Sequence, residues 1–257
     1  TSNAAALVTR NGHFVAAALE DVFRAERLDW RDQPTRVPML KALLVHGCTW
    51  GKIGGILDKT YPPDGKGKTP VRRSKISKFL GFGRADISRV VDGNDNRITL
   101  LGDDTIKSGE MHEYKLPVPS SLLNSREVRS VTITLSWTTP PAFTTADHRA
   151  VVLKLCDPNG KSNYWEGVGT NGKDQPPGTR AARGTVIHVQ HSGAKLMTNA
   201  RGQIALCVQA MAKPSFEREE APYAIAITIE LAQTLRSGLY AEVQQFVRQG
   251  IRTRIAN

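Results

Sequence analysis

Beyond residue 92 the chain changes its period. The turn cluster Asp92-Gly93-Asn94-Asp95-Asn96 ends a stretch of helical spacing, and short runs rich in Val, Ile and Thr follow, separated by Gly, Pro and Asn. Seven strands are predicted: Arg97 to Leu101, His112 to Leu116, Val128 to Trp137, Ala150 to Cys156, Gly184 to His191, Gln203 to Ala212 and Tyr223 to Leu231. In Val131-Thr132-Ile133-Thr134-Leu135-Ser136-Trp137 every second residue is apolar, the pattern of a half-buried strand with one face on a core. Ile225, Ile227 and Ile229 repeat it in the last strand. Strands in succession without intervening helices point to an antiparallel β-sandwich or jelly roll. From Ser237 to Ile255 helical spacing returns. Leu239, Val243, Phe246, Val247 and Ile251 form one stripe opposite Glu242, Gln245 and Arg252, which predicts a terminal helix docked on its own domain or on a second copy or partner.

Ahead of the turn cluster, Ala4 to Phe23 is apolar almost all the way round, interrupted mainly by Arg10, Asn11, Glu20 and Asp21, so this helix is expected in a core. Ser2 heads it. The unpaired N–H groups of the first turn and the positive end of the helix dipole would favour an oxyanion beside that serine. Thr1-Ser2-Asn3-Ala4-Ala5 resembles the Gly-Thr-Ser-x-Ala nucleophile motif of subtilisin-like serine proteases. Pro38-Met39-Leu40-Lys41-Ala42-Leu43-Leu44-Val45-His46 is similar to that family's next helix, and Gly81-Phe82-Gly83-Arg84-Ala85-Asp86 to the turn before the last helix of its catalytic domain. The likeness covers roughly the first ninety residues, and each motif is short.

The resemblance implies an α+β chain. Residues 1–92 would be the helical C-terminal part of a subtilisin-like α/β catalytic domain, and 93–257 an antiparallel, jelly-roll-like β-sandwich with a terminal helix. It implies a serine endopeptidase acting on peptides or proteins, without metal or cofactor, in which Ser2 is the nucleophile and its backbone N–H an oxyanion donor. The family's triad order of Asp, His and Ser places the acid, the base and the oxyanion Asn upstream of Thr1, so this chain alone is expected to be inactive. Could another histidine serve as base? His13 lies about 16 Å along the same helix, out of reach of Ser2. His46 ends the next helix and reads as a C-terminal cation or a packed core group. The first helix would then need cover from an upstream catalytic segment or a second copy of the chain. The alternative is a β-sandwich binding or interaction module with a helical extension and no catalysis, since Ser-Asn-Ala is also a common remnant of tag removal.

A net charge of +11, from 35 Lys and Arg against 24 Asp and Glu, raises nucleic acid as a partner. Much of the excess falls in Lys59 to Lys78, read as a Gly/Lys-rich surface loop between two helices, and in Arg248, Arg252 and Arg254. No aromatic residues interleave with these charges to stack on bases, which argues against nucleic acid. No stretch approaches 18 uninterrupted apolar residues, so no membrane span is expected. Cys48, Cys156 and Cys207 lack metal-ligand spacing and read as buried thiols, in keeping with a reducing, cytoplasmic setting. Cys156 and Cys207 fall in two strands that could be neighbours, which leaves a disulfide between them open. His188 and His191, three apart on a strand, point to opposite faces and cannot share a metal. Asp103-Asp104 and Asp147-His148 read as solvated turn residues, and Glu217 to Glu220 as a polar loop. Asn163, Tyr164 and Trp165 in the long loop Asp157 to Arg183 would contact a sugar or peptide, or cover an end of the sandwich.

Overall fold

A computed structural model describes residues 2–25, 27–61, 69–91, 96–117, 128–143, 148–157, 184–192, 203–231 and 252–255. Its first part is helical: α1 (Ser2–Ala25), a short 3₁₀ turn (Trp30–Asp32), α2 (Arg36–His46), α3 (Gly51–Thr60), α4 (Thr69–Leu80) and α5 (Ser88–Val91). Two short strands, β1 (Cys48–Thr49) and β2 (Arg84–Ala85), pair antiparallel among these helices. The rest is strand: β3 (Arg97–Lys107), β4 (Met111–Pro117), β5 (Val128–Trp137), β6 (Val151–Cys156), β7 (Val186–Ser192), β8 (Gln203–Ala212), β9 (Glu220–Leu231) and β10 (Arg252–Ile255). They form two antiparallel sheets, in the orders β3-β9-β5-β7 and β10-β4-β8-β6. The chain is therefore α+β, and all seven strands expected from alternation are present. No helix among the described residues is long and apolar enough to cross a membrane.

One set of buried side chains draws on both sheets: Val131, Ile133, Leu135 and Trp137 of β5 and Ile225, Ile227 and Ile229 of β9, with Leu153 and Leu155 of β6 and Leu206 and Val208 of β8. These are the apolar members of the alternating runs. The other face of β5 departs from expectation. Ser130, Thr132, Thr134 and Ser136 are buried as well, because α2 lies across β5 and β9 on that side. Small side chains make room for the helix: Ala224 and Ala226 of β9 join Met39, Ala42 and Leu43 of α2 and Val15 and Leu19 of α1 in a second apolar cluster. β5 is thus a central strand covered on both faces, not a half-buried one.

Three further expectations are corrected. Helix α1 is not a core helix: only Val15 and Leu19 are buried, while Leu7, Val8, Phe14 and Val22 stand 48–58% exposed. Within this chain α2 and the 3₁₀ turn cover a single stripe of a helix that is apolar on more than one side. The terminal helix does not extend to Ile255, since Arg252–Ile255 is extended and pairs with Met111–Tyr114 of β4; residues 237–251 lie outside the described residues. Arg72 and Arg73 belong to α4 rather than to a loop, residues 62–68 being undescribed. The loop carrying Asn163, Tyr164 and Trp165, together with Asp147, also falls outside the described residues.

Glycine closes the helical layer onto itself. Asp86 donates its backbone N–H to the Gly47 carbonyl at 3.1 Å, and a Cβ on Gly47 would land on the Asp86 carbonyl. Gly83 sits at φ +100°, and a Cβ there would strike the Thr49 carbonyl across the β1–β2 pair. No L side chain fits that backbone without strain. Replacing Gly83 with Ala is expected to cost about 2–4 kcal/mol, the sum of strain and overpacking. Urea denaturation of both proteins reads this loss, and a difference below about 1 kcal/mol would contradict the tight crossing.

Candidate functional site

Ser2 is the first residue of α1 and is exposed. The helix carries no acidic side chain in its first turn, where the N–H groups and the positive end of the dipole would favour an anion. The N-terminal half of α1 borders an open cleft of about 490 Å³, floored by Ala4, Leu7, Val8 and Phe14 and walled by the Gly83 to Ile87 segment. Asn11 ties the helix to that wall, its Nδ2 donating to the Ala85 carbonyl at 3.2 Å, and the Arg10 guanidinium lies 5.5 Å from the centre of the Phe14 ring. Ser2 and its neighbours therefore project from the end of a helix whose apolar flank is open.

His46 is a packed core group and not a helix-terminal cation. Both ring nitrogens are engaged, Nδ1 with Thr134 Oγ1 and Nε2 with Thr228 Oγ1, each at 2.7 Å. Thr134 Oγ1 also meets His188 Nδ1 at 2.6 Å, and Thr228 Oγ1 meets Thr99 Oγ1 at 2.6 Å. The resulting chain of polar groups crosses the whole sheet, from His188 on β7 over β5 and β9 to Thr99 on β3, with His46 of α2 bridging its middle. A neutral imidazole has one donor and one acceptor nitrogen, so one threonine donates to His46 and the other accepts. Burial holds the His46 pKa well below the usual histidine range, and the nearby His188 and Arg89 push the same way. His188 is lowered to about 3 by burial and by Arg89. Its Nε2 has no hydrogen-bond partner among the described residues, and the Phe82 ring meets the imidazole edge-on at 6.2 Å. A neutral, water-excluded pair of this kind joins helix to sheet; it is not placed to exchange protons with a substrate. Lys41 adds a second tie beside it, donating to the Thr185 carbonyl at 3.3 Å and to the Thr185 hydroxyl, and burial lowers its pKa.

A further polar cluster lies between the sheets. Tyr114 OH and Tyr223 OH are 2.6 Å apart, Tyr223 OH meets His112 Nδ1 at 2.7 Å, and Asp104 Oδ2 is 3.3 Å from the same nitrogen. His112 and Tyr223 are fully buried. Asp103 and Asp104 accordingly lie within β3 and not in a turn; Asp103 accepts from the Thr35 hydroxyl at 2.5 Å. Sequence reading missed both clusters. The available signals were small: His112 and Tyr114 share one face of a strand, as do Thr132 and Thr134. Among the described residues no group of three or more His, Cys, Asp or Glu could hold a metal ion.

No family model matches the chain. It is similar to an uncharacterized protein of Sinorhizobium fredii, 26% identical over 89 residues, an alignment spanning 33% of this chain and 21% of that protein. This chain thus spans about a fifth of that relative's length. Among solved structures, a periplasmic inhibitor of g-type lysozyme from Aeromonas hydrophila overlays at TM-score 0.23 and 13% identity, over 53% of this chain and 89% of that one. At that score neither fold nor function carries over.

Proposed function

We propose that this chain is the C-terminal portion of a subtilisin-like serine endopeptidase, with its two sheets packed face to face as a sandwich behind the end of the catalytic domain. One observation supports the reading: the helix that Ser2 heads, the helix α2 and the glycine turn, the three elements that carry the stretches resembling subtilase motifs, pack against one another. Helix α1, headed by Ser2, shares an apolar cluster with α2, which spans the Lys41-Ala42-Leu43-Leu44 stretch. The Asn11 side chain of α1 holds the Ala85 carbonyl of the glycine turn, and Asp86 of that turn is bonded to Gly47 at the end of α2. The open flank of α1 at Leu7, Val8 and Phe14 supports the same reading, because in an α/β domain such a helix covers a parallel sheet. Burying a large apolar side chain is worth roughly 1.5–3 kcal/mol, so a covering layer is strongly favoured.

In the intact enzyme Ser2 Oγ attacks the scissile carbonyl, an upstream histidine takes its proton, an upstream aspartate orients that histidine, and the Ser2 backbone N–H helps hold the oxyanion. His46 takes no part, both its nitrogens being committed to threonines. Casein hydrolysis by this chain, set beside a polypeptide extended upstream of Thr1, tests the proposal. The expected result is no activity from the chain and turnover by the extended form. An extended form that folds but hydrolyses nothing would instead favour a non-catalytic interaction module.

A further inference from the structure

Strands β6 and β8 pair antiparallel, and in their register Cys156 lies directly opposite Cys207. Opposed residues on antiparallel strands have Cα atoms about 4.5 or 5.5 Å apart, according to whether the pair is hydrogen-bonded, and both spacings fall within the range a disulfide spans. The two side chains share one face of the sheet and form a small buried cluster with Met111 of β4. Cys156 Sγ is 3.9 Å from Met111 Sδ and 3.7 Å from the Cys207 carbonyl oxygen. All three cysteines are reduced in this structure, and the third, Cys48, belongs to β1 in the separate two-stranded sheet. We propose that Cys156 and Cys207 form a reversible disulfide, made by exchange with a small-molecule disulfide oxidant, that fastens β6 to the β10-β4-β8-β6 sheet.

The chemistry balances by two exchanges. One cysteine thiolate attacks the oxidant's S–S bond, forming a mixed disulfide and releasing one small thiol; the other cysteine then attacks the protein sulfur of that mixed disulfide and expels the second thiol. Two protein thiols give up two electrons and two protons, and the oxidant is reduced to two thiols. Place in the fold sets the rate. Both residues are fully buried, and the Cys207 thiol is pushed far up by its side-chain hydrogen bond with Cys156, by burial and by the nearby charges of Cys156, Glu113 and Asp157. Thiolate is therefore scarce at neutral pH, and attack needs a brief opening of the pair. β6 is the last strand in its sheet order among the described residues, so that opening breaks one ladder and not two. Met111 closes over the pair once it re-forms, which shields the bond from reductant.

Incubating the full chain with oxidised glutathione at pH 8.5 tests this. Thiol titration in denaturant should fall from three groups to one, the mass should drop by about two hydrogens, and peptide mapping should link the segments carrying Cys156 and Cys207. Dithiothreitol should restore three thiols, and the oxidised form should melt about 5–10 °C higher. Cys48→Ala should leave all of this unchanged, whereas Cys207→Ser and Cys207→Ala should each abolish the link. The same oxidation is run in urea just below the unfolding transition, so that slow access to a buried pair cannot hide the reaction. Three titratable thiols persisting in both conditions would overturn the proposal. So would a link through Cys48, or a glutathione adduct that never resolves to the internal bond.

Discussion

Acidification from pH 7 to 4.5 is expected to strip the chain of several kcal/mol of stability, through His46 and His188. Both are neutral in the folded state, with pKa values pulled below the ordinary 6.5 chiefly by burial, His188 to about 3. A folded-state pKa below the unfolded one means that the unfolded chain binds more protons as the pH drops, so stability is complete above about 6.5 and declines below it. Each unit of pH in that window removes about 1.4 kcal/mol for a histidine that stays neutral, or roughly 3 kcal/mol from His188 by pH 4.5, and His46 adds to the loss in the same direction. A proton on either ring meets the charge of Arg89, and one on His46 also forces a rearrangement of its two threonine bonds, since a protonated imidazole cannot accept. Urea unfolding from pH 8 down to 4.5 measures the slope. His188→Gln should flatten it in part, and His188→Gln with His46→Gln should remove nearly all of it. A wild-type unfolding free energy that stays level to pH 4.5 would mean the pair is not buried neutral.

That joint also marks where the sequence stops being readable. Alternation located β5 and β9, because Val131, Ile133 and Leu135, and Ile225, Ile227 and Ile229, repeat at two-residue spacing on faces that reach one core. It could not show that Thr134 and Thr228 are buried too. A hydroxyl row on a strand looks the same whether it faces water or a helix carrying a histidine at the right height, and only the α2 packing distinguishes them. Helix α1 fails in the opposite sense. Its all-round apolar sequence reads as core, yet within this chain only Val15 and Leu19 are covered. At the far end, apolar residues at spacings of three and four run up to Ile251, whereas Arg252–Ile255 takes its structure from β4, which no local period records. That Cys156 and Cys207 fall in strands was accessible from the sequence; that those strands are neighbours, and in one-to-one register at the two cysteines, was not, because pairing joins distant segments. For the candidate nucleophile, sequence supplied the motif and the structure adds its setting: an exposed first turn beside an open apolar cleft.

The reading of this chain as the end of a serine endopeptidase rests most heavily on one hydroxyl. In a polypeptide extended upstream of Thr1 that hydrolyses casein, replacing Ser2 with Ala should leave the fold intact, because Ser2 is exposed and makes no core contact. Only the attacking atom is lost. In a subtilisin, the family proposed here, loss of the nucleophile costs about 2 × 10⁶ in kcat, the residue of catalysis coming from binding and the oxyanion hole. A fall of that order, with an unchanged thermal midpoint, is the predicted result for Ser2→Ala. A variant that keeps its kcat within about tenfold of the parent, where loss of the nucleophile predicts a factor nearer a million, would contradict the assignment.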